Sequence, residues 1–185
     1  MARNKHRLYI VLYRRKTKSG FHFALMLSPK KDTRNPSDRH SHIYHVINTI
    51  QSSVKFNLNG MPQWRYEHRA VNGLGEGMIT GRVLIAKLPI HEPWATHTER
   101  VHDILVHVPL VQDDAQWDCR VWMNHALAAL RAEGSDFSTI PEVTDGGQAE
   151  DEFKAFGDMA QDRVLKRRPS CVSDVPHIDM RVGRK

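Results

Sequence analysis

Cysteine is scarce in this chain: Cys119 and Cys171 are the two in 185 residues, and no C-x-x-C spacing occurs. Two thiols are too few for a disulfide scaffold, so both are expected reduced. Long apolar runs are missing as well. Stretches such as Phe23 to Leu27 and Val83 to Ala86 fall far short of the roughly 20 apolar residues that cross a bilayer, and the basic N-terminus lacks the apolar run of a secretory signal. The expectation is a soluble, cytoplasmic protein with no membrane span. A nucleotide-binding P-loop is absent: Gly73-Leu74-Gly75-Glu76-Gly77 lacks the Lys-Ser/Thr that follows such a loop and opens no helix, so it reads as a flexible turn. No H-E-x-x-H occurs, His91-Glu92 running into Pro93. His40, His42 and His45 form H-x-H-x-x-H, but on a strand the first two share a face and His45 points away, so one ion cannot take all three without a bend. Neither a metal nor a cofactor is expected, and no internal repeat is found.

What is present fits one globular domain, with a core over about 7–168 and a basic C-terminal tail over 169–185. The net charge of +6 gathers at the two ends: Arg3, Lys5, Arg7, Arg14, Arg15, Lys16 and Lys18 lie in or beside the first hairpin, and Lys166, Arg167, Arg168, Arg181, Arg184 and Lys185 close the chain. Basic ends around a near-neutral middle read as solvated segments, and no RNP-like strand, KH loop or zinc finger accompanies them. Specific nucleic-acid binding is therefore not expected, and a small molecule or peptide is the expected partner.

Hydrophobic alternation marks strands at Arg7 to Tyr13, Phe21 to Leu27, His42 to Thr49, Gln63 to Val71 and Gly81 to Ile90. The second strand sends Phe21, Phe23, Leu25 and Leu27 to one side and His22, Ala24 and Met26 to the other. His45 shares its face with Ile43 and Ile47, and Trp64, Tyr66 and His68 share another. Helical spacing follows: Ala95 to about Val108 with Thr96 or Thr98 as cap, a helix from about Cys119 to Gly134 with Asp113, Asp114 or Asp118 as cap, and a last one from Glu150 to Arg167, ended by Pro169. Ser28 to Ser41 and Ser135 to Gly147 read as loops, and the tail as irregular. Strands first, helices after: the fold class is α+β, an antiparallel sheet with helices packed on it.

Cys119 is the residue with most chemistry to offer. Cys119, Trp122, Met123, Ala126, Leu127 and Leu130 fall on one helical face. That face docks on the core, so Cys119 is either a small hydrophobe filling it or a thiol at a helix N-terminus, where free N–H groups and the dipole favour a thiolate. A nucleophilic thiol needs an imidazole to take its proton and a third group to hold that imidazole. His22 and His45, each on an inward-looking strand face, are the candidates, because a buried ring must find polar partners.

The strand bearing His22-x-Ala24-Leu25, a second strand with His45 or His42 near its centre, and Asp118-Cys119-Arg120-Val121-Trp122 opening a helix resemble the circularly permuted NlpC/P60-like branch of papain-like folds. That branch includes lecithin:retinol acyltransferase-like and PPPDE-type proteins, and its histidine strands precede the cysteine, as here. The likeness follows the element order from Leu8 to Leu130. Tyr44-His45-Val46, Trp64-x-Tyr66-Glu67 and Val-Pro-Leu-Val-Gln also resemble small fungal proteins of no assigned activity. The family likeness implies a cysteine-dependent hydrolase or acyltransferase that attacks an amide or ester through a thioester, with Cys119 as nucleophile, His22 as general base and His45, or His42, orienting it. The oxyanion donors would be the Cys119 N–H and, as a second, Gln112 or a backbone group of the link before the Cys119 helix. The chain departs from the lecithin:retinol acyltransferase-like pattern in having Asp118 and Arg120 around the thiol. The alternative is a non-catalytic ligand- or protein-binding module on the same fold, using the cleft beside His22 and the Trp64-Tyr66 strand; weaker still is binding of RNA or an anionic surface by the basic ends.

Overall fold

The computed structural model describes residues 5–15, 19–29, 40–50, 55–58, 60–72, 79–170 and 174–183. Cys171, the glycine cluster at 73–77 and most of the Ser28 to Ser41 loop lie outside them. Five strands, β1 (Lys5–Arg14), β2 (Phe21–Ser28), β3 (Ser41–Ile47), β4 (Arg65–Val71) and β5 (Ile79–Pro89), lead into helices α1 (Trp94–Leu105), α2 (Cys119–Ala132) and α3 (Gln148–Lys166), and β6 (His177–Asp179) closes the chain. The fold class is α+β, with a sheet in the order β4-β3-β2-β1-β5-β6.

The sheet is mixed, which corrects the antiparallel expectation: β6 pairs in parallel with β5, Val83 opposite Ile178, while every other pairing is antiparallel. The tail, which the sequence predicts to be irregular, contains this three-residue strand, too short a run to show a readable period. Its order comes from backbone bonds to distant partners, Arg82 N–H to the Pro176 carbonyl at 3.0 Å and Met180 N–H to the Leu84 carbonyl at 3.0 Å, and from the burial of Val175.

Strand parity divides the apolar residues into two layers. Leu8, Ile10 and Leu12 of β1, Phe21, Phe23 and Leu25 of β2, and Tyr44 and Val46 of β3 join the main core with the inner faces of α1, α2 and α3. Tyr9, Val11, Tyr13, Ala24, Met26 and Ile43 face the other way and form a second cluster with Val175. The last helix docks through glycine: a Cβ on Gly157 would stand 2.6 Å from Cε2 of Phe21 and 2.8 Å from Cδ2 of Leu12. The expected loop at Ser135 contains a short 3-10 turn, Ser135–Phe137, whose Phe137 is buried. Helix α1 takes neither Thr96 nor Thr98 as cap. It starts after Pro93 with no side-chain cap, and the Thr98 hydroxyl donates back to the Ala95 carbonyl at 2.9 Å.

Two features of this frame place the site. The β2–β3 ladder holds only from Leu25 opposite Tyr44 to Leu27 opposite His42, so the His22 end of β2 and the His45 end of β3 run on without pairing to each other, each still held by its outer neighbour, β1 or β4. The start of α2 lies close to that opening.

Candidate functional site

Asp118 supplies the cap of α2. Its backbone is extended (φ −150°) and its carboxylate accepts from the N–H groups of Arg120 (2.9 Å) and Val121 (3.2 Å), satisfying two of the donors a helix start leaves free. Arg120 then ties the first turn to α3. Its guanidinium meets both oxygens of Glu150, each at 3.1 Å, and bonds Asp145, while Glu150 also accepts from Asn124 at 3.2 Å and pairs with Lys154 at 2.5 Å. Glu150 is completely buried, a carboxylate kept inside because Arg120, Asn124, Lys154 and the Gly146 N–H, at 3.3 Å, all meet it.

Cys119, first in the helix, is also completely buried. Its sulfur accepts a hydrogen bond from Nη2 of Arg15 at 3.2 Å. Burial raises the thiol pKa, with the charge of Asp118 adding to the rise; a backbone hydrogen bond from Phe23 and the Arg15 guanidinium offset part of it. The net direction is upward, so at neutral pH the group is a thiol, and among the described residues no histidine nitrogen is bonded to its sulfur.

His22 and His45 meet each other instead. Their nitrogens, His22 Nε2 and His45 Nδ1, are 2.9 Å apart, bridging the two strands where the ladder has ended. His45 Nε2 lies 3.2 Å from Oε1 of Glu67, its partner across β3 and β4, and Arg69 Nε donates to that same oxygen at 2.7 Å. The pKa of His22 is lowered to about 3 by burial, by His45 and by the charge of Arg15. Burial also lowers that of His45, outweighing the hydrogen bond and charge of Glu67, which act the other way. Glu67 is held below the usual carboxylate range: burial opposes this, but the bonds from Arg69 and His45 together prevail. The unit is therefore two neutral imidazoles anchored on an ionised carboxylate. Strand parity sends His22 toward Tyr13, its ring 6.0 Å away, and away from the layer that holds Cys119.

His42 stands outside this unit. Its Nδ1 is 2.8 Å from Nε2 of His68, whose ring stacks between Tyr44 (4.6 Å) and His102 (4.8 Å). His45 is thus the ring beside His22. Gln112 is not aimed at the thiol: its Oε1 accepts from the Trp64 N–H at 2.8 Å and its Nε2 donates to the Trp64 carbonyl at 2.9 Å, clamping that residue by its backbone. Among the described residues no group of three His, Cys, Asp or Glu side chains is arranged to hold a metal ion.

A cleft of about 750 Å³ opens over this region. Arg15, His22 and His45 form one side, Trp64 and Trp117 an aromatic wall, and Asp113, Asp114 and Asp118 the approach to α2. The two indoles meet edge to face, centroids 5.3 Å apart. Asp113 holds a left-handed backbone (φ 60°), uncommon for a residue with a side chain. Cys119 is buried and does not line the cleft, whereas Arg15, bonded to its sulfur, and Asp118, next to it in the chain, do.

Sequence reading missed Arg15 and Glu67. Arg15 passed as one more basic residue of the first hairpin. Glu67 had a usable signal: it alternates with Tyr66 and His68 on β4, so an acid stands on the face opposite the aromatic one, the face His45 occupies once the β3–β4 register is known.

The model of a family of unknown function, DUF6914, matches residues 5–180, and the chain belongs to that family. No curated protein and no solved structure matches it.

Proposed function

We propose that this protein is a binding module whose cleft holds a small molecule or a peptide end against Arg15, His22 and the Trp64-Trp117 wall. One observation carries the reading: a solvent-open cleft with the hydrogen-bonded His22–His45–Glu67 chain at its side lies next to a cysteine that is completely buried and bonded to an arginine. Thiol catalysis requires a thiolate that an electrophile can reach. Binding requires only the cleft. The strand order, the His22 and His45 strands ahead of a cysteine-led helix, supports the permuted papain-like architecture as the frame for this module. A reducing cytoplasm suits the thiol of Cys119.

The test is alkylation of the native protein with iodoacetamide. Cys119 is expected to react only as fast as the protein unfolds, and Cys119→Ala is expected to keep ligand binding intact. Labelling below pH 8 that is faster than a free thiol, and that His22→Ala abolishes, would overturn the binding reading in favour of covalent chemistry.

That covalent chemistry is the second reading, favoured by a specific feature: Cys119 opens α2 beside the cleft wall, with donors from Arg15 and the Phe23 backbone already on its sulfur. Here the protein is a cysteine hydrolase or acyltransferase. Displacement of Arg15 uncovers the sulfur and a turn of the β2 end brings His22 to it; His22 takes the proton with His45 behind it, the thiolate attacks an amide or ester carbonyl, and the C–N or C–O bond breaks as the amine or alcohol leaves with that proton, giving a thioester. The Cys119 N–H at the start of α2 would meet the oxyanion.

A further inference from the structure

The His22–His45–Glu67 chain has a direction, and the direction selects a ligand. Glu67 is an ionised acceptor that already receives Arg69 Nε–H at 2.7 Å, so the nitrogen facing it at 3.2 Å, His45 Nε2, carries the hydrogen. A neutral ring holds one hydrogen. His45 Nδ1 is therefore bare, and across 2.9 Å it accepts from His22 Nε2–H. That leaves His22 Nδ1 as a bare lone pair. Among the described residues it has no hydrogen-bond partner, it is not among the buried unpartnered atoms, and its residue lines the cleft. Beside it, Arg15 uses one of its five N–H donors on the Cys119 sulfur. The cleft thus offers a fixed acceptor next to spare cationic donors, in front of the indoles of Trp64 and Trp117.

We infer that the cleft recognises a planar, neutral amide edge, a lactam, imide or ureide, whose N–H donates to His22 Nδ1 and whose C=O accepts from Arg15. This rests on the cleft-binding reading and narrows it. An ester or a tertiary amide presents the same carbonyl but no hydrogen for His22, and leaves the lone pair desolvated and unmatched. A carboxylate suits Arg15 but sets its own lone pairs against that of His22.

The test uses the full chain labelled with 15N-histidine and 15N-tryptophan and two probes, pyrrolidinone and N-methylpyrrolidinone, which share ring and carbonyl and differ in the N–H. In the free protein His22 Nδ1 is expected to resonate as an unprotonated ring nitrogen, and Glu67→Leu is expected to turn that single tautomer into a mixture. Pyrrolidinone is expected to shift the His22 Nδ1 and Trp64 signals, and N-methylpyrrolidinone to bind about tenfold more weakly or worse. A protonated His22 Nδ1 in the free protein, or a Glu67→Leu variant that keeps one tautomer, overturns the directional chain. Equal binding of the two probes overturns the donor requirement while leaving the cleft a binding site. Failure of both probes to move any cleft resonance overturns the cleft reading and the ligand class together.

Discussion

Replacing Glu150 by alanine tests whether the start of α2 is held from α3. The carboxylate is completely buried and accepts from Arg120, from Asn124 Nδ2 at 3.2 Å and from the Gly146 N–H at 3.3 Å, with Lys154 Nζ at 2.5 Å. Removing it strands the Asn124 amide, whose Oδ1 is already without a partner, at a cost of ~1–3 kcal/mol for one buried unsatisfied polar group. The two cations suffer less. Arg120 keeps Asp145, and the Lys154 side chain is 44% exposed, so together they add on the order of 1 kcal/mol. The expected loss is about 2–4 kcal/mol, short of the upper range for breaking a fully buried pair. Urea unfolding at pH 7 measures it as a lower midpoint at unchanged slope. Burial acts to raise the Glu150 pKa, but Lys154, Asn124, Arg120 and Gly146 together lower it below the ordinary glutamate value of 4.5. Its contribution is therefore complete above 4.5 and lost as pH falls through the folded value, so the gap between wild type and variant narrows in acid. A loss under about 1 kcal/mol, or a gap that widens in acid, would refute the clamp. Native-state alkylation of Cys119 adds a local readout, because a loosened first turn exposes the sulfur more often.

Three further outcomes are expected. His22, His42, His45 and His68 all have pKa values below the ordinary histidine value of 6.5, with burial the largest cause and His68 at about 4; the unfolded chain binds these protons first, so stability is complete above pH 6.5 and falls as pH drops toward the folded values. His68→Phe, which keeps a ring between Tyr44 and His102, is then expected to move the acid-unfolding midpoint down, and an unmoved midpoint would show that acid attacks elsewhere. Gly157→Ala is expected to destabilise by ~1–3 kcal/mol through overpacking against Phe21 and Leu12, despite the roughly 1 kcal/mol gained in helix propensity; a higher melting temperature would mean that α3 does not dock this closely. Gln112→Ala removes both backbone bonds of Trp64 and is expected to cost ~1–3 kcal/mol and to change tryptophan emission; an unchanged spectrum and midpoint would deny the clamp on the cleft wall.

The parts of this fold that a sequence shows are those whose cause is local. The first five strands announce themselves because alternate residues face two apolar layers, and α2 because Cys119, Trp122, Met123, Ala126, Leu127 and Leu130 share one buried face with Asp118 capping it. β6 had no local cause, being three residues held by β5 and by the burial of Val175. The candidate site divides the same way. That His22 and His45 need polar partners follows from their strand faces; that they need each other follows only from the point at which the β2–β3 ladder stops. Parity had already set a limit. Phe23 and Cys119 belong to one layer, and adjacent His22 must point out of it, so a direct bond from His22 to the sulfur would require the strand end to turn. In its place stands Arg15, whose side chain touches the sulfur and whose charge acts on His22. An arginine just past the end of a hairpin strand has no pattern that distinguishes it from its basic neighbours, yet it connects the thiol to the histidines. Whether the sulfur is filler or nucleophile therefore depends on how readily Arg15 leaves it: a guanidinium that stays makes Cys119 part of the core, and one drawn off by a ligand carbonyl would open the sulfur to the same cleft.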